Sequence, residues 1–292
     1  MSRLTFLFAL IALSAAAGEA ATGKDCYGDP LPPGALCRMG STRLIHAENL
    51  TDLDFSPDGR HVATGTFHGE LKIWDRATGA LVADLGNAPT QQVAYHPDGK
   101  RLFTLSVSNQ VLVCPADGSA KPRRFTKGNA GRVLAFAISG DGSTLITGGW
   151  NGHVRAWDAT TGEKLCEVKG HKEYASRVAI SHDGKMAVSK GATESGFRIW
   201  ELPSGKPLAA IKSKNTYTFA FSKDCKALIF SKDSALHTWD PATGQSTLRV
   251  QDGEGRCHFN LLLSPDGTRV MAGSMKANVT KTVVWEYPTF RK

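Results

Sequence analysis

The chain has no Cys-x-x-Cys pair and none of the motifs Gly-x-x-x-x-Gly-Lys-[Ser/Thr], His-Glu-x-x-His and Gly-x-Ser-x-Gly, nor a calcium-loop pattern. Phosphate-cradling, zinc-hydrolase and serine-hydrolase chemistry therefore lack their usual carriers, and no catalytic residue, cofactor or metal is expected. Six cysteines are too few to build a 292-residue fold from disulfides. Beyond residue 20 no segment reaches 18 apolar residues, so no transmembrane anchor is expected. No ten-residue stretch there keeps a 3.6-residue apolar period, which argues against a helical fold. The charge bias is mild: 35 basic against 27 acidic residues, net +8. With no aromatic–basic interleaving along one strand, nucleic acid is not an expected partner.

What is present begins with a leader. Met1-Ser2-Arg3 is a short positive start, Leu4 to Ala17 is apolar or small, and cleavage sites follow at Ala17 or Ala20. Residues 1–20 read as a signal peptide, and the mature chain as exported, secreted or periplasmic. The first cysteine is Cys26, away from the cleavage point, so no lipid anchor is expected. Residues 21–40 form an N-terminal segment in which Cys26 and Cys37 flank a Pro/Gly-rich stretch and could pair as a local disulfide. Cys114 and Cys166 fall in apolar strand patterns and read as buried thiols.

From residue 41 onward the sequence keeps time. Asp58, Asp98, Asp141, Asp183, Asp224 and Asp266 recur 40, 43, 42, 41 and 42 residues apart, all but Asp224 followed by Gly. A second marker follows each by 15 to 19 residues: Trp74, Cys114, Trp157, Trp200, Trp239 and Trp285. A glycine four or five residues beyond the first five of these is the third: Gly79, Gly118, Gly162, Gly205 and Gly244. Between markers lie four-to-six-residue stretches of period two, bounded by turn formers. A unit of four short strands cannot bury both its faces alone, so the units must stack, and radial stacking leaves only short edges.

Phe55-Ser56-Pro57-Asp58-Gly59 through Leu71-Lys72-Ile73-Trp74-Asp75 and Thr78-Gly79 resembles a WD40 repeat, and Lys169-Gly170-His171 looks like the Gly-His opening of such repeats. The resemblance covers residues 41–292 and implies an exported, bacterial-type member of the WD40 family: an all-β propeller of six four-stranded blades. A shortened relative of seven-bladed rings is the alternative. The family's hydrogen-bonded tetrad, carried over by position, falls on His171, Ser189, Glu194 and Trp200 in the fourth repeat. The first repeat offers His46, Thr64 and Trp74 but has His68 in the acidic position; the third has Thr147 and Trp157 with Asn151 and Asn129. The second loses Trp to Cys114, and the fifth and sixth lose the hydroxyl to Phe230 and Ala272, which predicts a less rigid propeller.

Only four residues follow Pro288, too few for a turn and a fourth strand. Thr42-Arg43-Leu44-Ile45-His46 is accordingly expected to complete the last blade. The loops before the first and after the second strand of each blade should share one basic face dotted with aromatics. Phe67, Arg132, Trp150, Lys172, Tyr174, Arg177, Lys190 and Tyr217 form its candidate partner-binding set. The expected function is a monomeric, non-catalytic scaffold that binds a protein or peptide. The alternative is a propeller enzyme, or a small-molecule or metal binder, using the central channel.

Overall fold

A computed structural model of the chain describes Lys24, Leu44, His46 and residues 49–292, except 128–130, 214–215, 217, 234, 252–256, 277–278 and 292. The chain divides into two units, Met1–Ile45 and His46–Lys292. The leader and the Cys26–Cys37 pair lie outside the described residues. Of the strand expected at 42–46, Leu44 sits at a turn with φ 53° and His46 is not in a strand; the rest is not described.

The second unit is six antiparallel sheets in chain order, with no helix among the described residues. These are the blades of a β-propeller. Blade 1 is β1 (Leu50–Phe55), β2 (His61–Thr66), β3 (Glu70–Asp75) and β4 (Leu81–Asn87). Blade 2 is β5 (Thr90–Tyr95), β6 (Arg101–Ser106), β7 (Val111–Pro115) and the stub β8 (Arg123–Arg124). Blade 3 comprises β9 (Val133–Ile138), β10 (Thr144–Gly149), β11 (His153–Asp158) and β12 (Lys164–Lys169). Blade 4 comprises β13 (Ala175–Ile180), β14 (Met186–Gly191), β15 (Phe197–Glu201) and β16 (Pro207–Ile211). Blade 5 has β17 (Phe219–Phe221), β18 (Leu228–Lys232), β19 (Ala235–Trp239) and β20 (Ser246–Gln251). Blade 6 has three strands among the described residues, β21 (Cys257–Leu263), β22 (Arg269–Lys276) and β23 (Val279–Glu286).

The hairpins form where the repeat markers stand. Ser56 Oγ donates to Asp58 Oδ1 at 2.6 Å, Asp58 accepts the Arg60 N–H at 3.0 Å, and Gly59 supplies the positive φ that the turn requires. The same serine–aspartate clasp recurs at Ser139–Asp141, Ser181–Asp183, Ser222–Asp224 and Ser264–Asp266. These aspartates cap turns, and the Ser264 hydroxyl together with the Thr268 N–H holds Asp266 down to about 2. In blade 2 His96 replaces the serine and its ring lies 2.9 Å from Asp98.

The core lies between blades. Leu71 and Ile73 of blade 1 pack with Val93 and Leu102 of blade 2; Phe103 and Val113 of blade 2 pack with Phe136 and Trp157 of blade 3. Three more shared clusters follow, with Trp200, Trp239 and Trp285 at the next junctions. This is the stacking that four thin strands demand, because the hydrophobic gain of each sheet face is realised only against its neighbour. The fourth strands are largely exposed, whereas β2, β6 and β10 are buried almost throughout.

Among the described residues the first strands of neighbouring blades share no ladder of hydrogen bonds, and side chains bridge them instead. Val93 N–H donates to Asp52 Oδ2 (2.9 Å) and Tyr95 N–H to Asp54 Oδ2 (2.7 Å). The Gln92 amide exchanges two bonds with the backbone of Phe136, and Leu261 N–H donates to Thr218 Oγ1. Burial raises Asp54 to about 6 against these hydrogen bonds, and Asp52 adds to the rise.

The residues after Pro288 form a turn and a single bridge, Glu286 N–H donating to Arg291 O as Asp75 does to Ala80 and Asp158 to Glu163, with Phe290 buried; among the described residues no fourth strand follows, as expected. One expectation needs correction. Cys114 is a buried free thiol as expected of an apolar strand, but the free thiol of Cys166 is only partly covered, because it lies on an outer strand.

Candidate functional site

Two kinds of polar arrangement stand out in the second unit: circuits that run through the blades, and a cluster of loops at one end. In blade 4, Trp200 Nε1–H donates to Ser189 Oγ (2.8 Å), Ser189 Oγ lies 2.8 Å from His171 Nε2, and His171 Nδ1 lies 2.8 Å from Glu194 Oε2. The only assignment in which each hydrogen serves one acceptor runs from indole to hydroxyl to imidazole to carboxylate. Burial lowers the His171 pKa against the pull of Glu194, which suits a neutral ring passing a hydrogen bond along. These four residues pin the start of blade 4.

Blade 1 has the same circuit with a different acid. Trp74 Nε1–H donates to Thr64 Oγ1 (2.7 Å), which lies 2.6 Å from His46 Nε2, and His46 Nδ1 lies 2.8 Å from Glu70 Oε2. Glu70, not the residue at 68, fills the acidic position. It opens β3 two residues past the loop, and its longer side chain covers the distance. In blade 3, Trp157 Nε1–H donates to Thr147 Oγ1 (2.9 Å), and Asn129 is not among the described residues. The substituted blades keep complementary halves. In blade 2 the buried Thr104 Oγ1, opposite the blade's lost tryptophan, has no hydrogen-bond partner among the described residues; in blade 5 the same holds for Trp239 Nε1.

The loop cluster brings together most of the candidate binding set. Trp150 follows β10 and is 43% exposed. Its ring centroid lies 4.3 Å from that of Tyr174, and the Arg132 guanidinium stands 4.6 Å from the same indole centroid. Arg132 is aimed by two bonds to Asn109 Oδ1. The backbone holds the loops in phase: Trp150 N–H donates to Arg132 O, and one blade on, Ala192 N–H donates to Tyr174 O. A cation stacked on an exposed indole is worth about 0.5–1 kcal/mol, so the indole is held in place without being covered.

Lys172 is exposed beside this stack, and its backbone N–H donates to Glu194 Oε1. Arg177 and Lys190 are directly opposed on β13 and β14. Together with Ser176, Ala192, Thr193, Glu194, Ser195 and Thr216 they line a pocket of about 460 Å³. Phe67 is 49% exposed but belongs to blade 1, where it meets only His68 edge-on among described rings. Tyr217 lies outside the described residues. Sequence reasoning did not single out Thr216 or Asn109; neither carries a local motif, and each gains its position from a neighbouring blade.

At the opposite end, a groove of about 680 Å³ runs between blades 1 and 2, lined by His61, Ile73, Val82, Tyr95, Arg101 and Asp117 among others. Arg101 is engaged with Asp98, Ala159 O and the His96 ring, so it is a strut of that end. Among the described residues no three His, Cys, Asp or Glu side chains converge as a metal site, and no helix is long and apolar enough to cross a membrane.

Comparison with known proteins reads the same repeats. The family model for the WD domain, G-beta repeat, matches residues 41–75 and 120–158. These two segments are similar to WD40 repeats. The chain is 24% identical over 264 residues to small ribosomal subunit protein RACK1y of Oryza sativa, covering 84% of this chain and 76% of the relative. It is 22% identical over 164 residues to target of rapamycin complex subunit LST8 of Saccharomyces cerevisiae, covering 54% of each. Against WD repeat-containing protein 1 of Gallus gallus it is 26% identical over 151 residues, half of this chain but 25% of that protein. Together with the blades, these matches support the WD40-repeat family. All three relatives are eukaryotic, so they lend nothing to the expectation of a bacterial-type, exported member.

Proposed function

We propose that this chain is an exported, non-catalytic WD40 scaffold that binds a protein or peptide at the loop face of blades 3 and 4. The observation that carries the reading is Trp150, a large apolar ring left 43% exposed yet in contact with both Tyr174 and Arg132. Rigid exposed aromatics with a guanidinium beside them are what interface hot spots use, because little side-chain entropy remains to be lost on binding. The relatives' names, a ribosomal subunit protein and a subunit of a target of rapamycin complex, both speak of assemblies, which agrees with a scaffold. Export rests on the leader at residues 1–20, and N-terminal sequencing of the mature protein after Ala17 or Ala20 tests it.

The binding test is native co-purification with partners identified by mass spectrometry, repeated with Trp150→Ala and Lys172→Glu. Loss of a hot-spot aromatic costs about tenfold to a hundredfold in affinity, so recovery of the partner should fall steeply with Trp150→Ala. Unchanged recovery with both variants removes this face from the account.

A further inference from the structure

We propose that the pocket between β13, β14 and the 192–195 loop is an oxyanion seat that receives an acidic side chain of a peptide partner. The proposal rests on the reading of this face as a protein-binding surface and names the chemistry that the surface selects. Arg177 and Lys190 are direct cross-strand neighbours, and like charges so placed repel. One carboxylate, Glu194, lines the same pocket, but it makes no salt bridge to either cation and is committed to the His171 ring, the Lys172 N–H and Arg198. The Lys190 ammonium reaches only the backbone carbonyls of Gly191 and Glu194, each at 3.4 Å. Arg177 has no acidic partner among the described residues.

A second observation is independent of the charge. Thr216 is 2% exposed and forms part of the lining, yet its sealed Oγ1 has no hydrogen-bond partner among the described residues. A buried hydroxyl without a partner forfeits its hydration for nothing; a carboxylate oxygen in the pocket would restore the lost bond once the Thr216 side chain turns toward it. Such an oxygen would also separate the two cations. Burial, and after it the charge of Arg177, push the Lys190 pKa down against the opposing pull of Glu194, and an arriving anion relieves that cost.

The pocket adjoins the aromatic stack, which favours a peptide over a free ion. Ala192 lines it and is hydrogen-bonded through its N–H to Tyr174 O, the residue whose ring packs on Trp150. The net charge of +8 draws an acidic segment to this surface.

The test is fluorescence anisotropy of dye-labelled hexaglutamate on the full mature chain, with labelled hexaglutamine as the neutral control. Hexaglutamate should bind and hexaglutamine should not. Arg177→Gln and Lys190→Gln should each weaken binding about tenfold, the loss of one charge-assisted contact. Both variants remove a repulsion, so they should fold. Thr216→Val should weaken binding about threefold. Lys100→Gln, an equal loss of charge in the opposite loops, should change it less than about twofold. Equal effects of Arg177→Gln and Lys100→Gln, or failure of hexaglutamate to bind, overturn the proposal. Displacement by inorganic phosphate at the same concentration would assign the pocket to a free ion and overturn it as well. The co-purified partner separates the two readings. If Trp150→Ala releases it while Arg177→Gln and Lys190→Gln retain it, the scaffold stands and the oxyanion seat falls. If hexaglutamate binds through Arg177 and Lys190 while Trp150→Ala releases nothing, the seat survives and the aromatic face is wrong.

Discussion

Blades 1 and 4 carry the full indole–hydroxyl–imidazole–carboxylate circuit, whereas blade 2 keeps the hydroxyl without the indole and blade 5 the indole without the hydroxyl. All four have the same strands in the same order. The circuit is therefore not what makes a blade. It is what makes a buried polar position inexpensive, and where it is broken the remaining partner is left dry.

The comparison can be broken with one substitution made twice. Thr64→Val in blade 1 should destabilise by about 2–4 kcal/mol, since it orphans both the Trp74 N–H and His46 Nε2 in a buried setting. The second largest effect concerns pH at the junction of blades 1 and 2. Asp54 keeps its proton in the folded chain up to about 6 and loses it near 3.8 when unfolded, so its contribution is complete below 3.8 and disappears as pH rises through 6. Asp54→Asn, which cannot ionise, should abolish this loss of about 1–2 kcal/mol (after solvent screening) between pH 3.8 and 7, on top of a pH-independent cost because its one oxygen cannot serve both the Phe55 and the Tyr95 N–H; urea melts across that range check the slope. Thr104→Val, chemically the same change as in blade 1, should instead stabilise by about 1 kcal/mol, because it removes a hydroxyl with nothing to bond. Opposite signs for the two threonines in chemical denaturation are the decisive outcome. Smallest is blade 5, which has also lost its turn glycine: Cys225 sits at φ 59°, where the other Asp-Gly turns have Gly. Cys225→Gly should stabilise by about 0.5–1 kcal/mol in the same melts.

Much of the fold was legible because its signals are local. The aspartates at 58, 98, 141, 183, 224 and 266 mark turns that a few residues settle among themselves, so the blade phase follows from spacing. The blade-4 tetrad was legible for a related reason, since each residue holds a fixed place in the repeat. Glu70 was not, because the acid moved from the loop to the first residue of β3, and only a longer side chain in three dimensions shows that it still reaches His46. The candidate face was half legible. Arg132, Trp150 and Tyr174 do converge, but loop phase alone also enrolled Phe67, which the ring of blades carries to a different neighbour. Thr216 was invisible, since a buried hydroxyl without a partner has no sequence signature.

The apolar clusters span junctions and leave no blade with a core of its own. A unit cut from the chain would expose an oily flank on each side, while a unit inserted in register would find a ready seat on both. Whole-module gain or loss is thus a smaller insult than trimming part of one, and length changes among such proteins should come in steps of about forty residues.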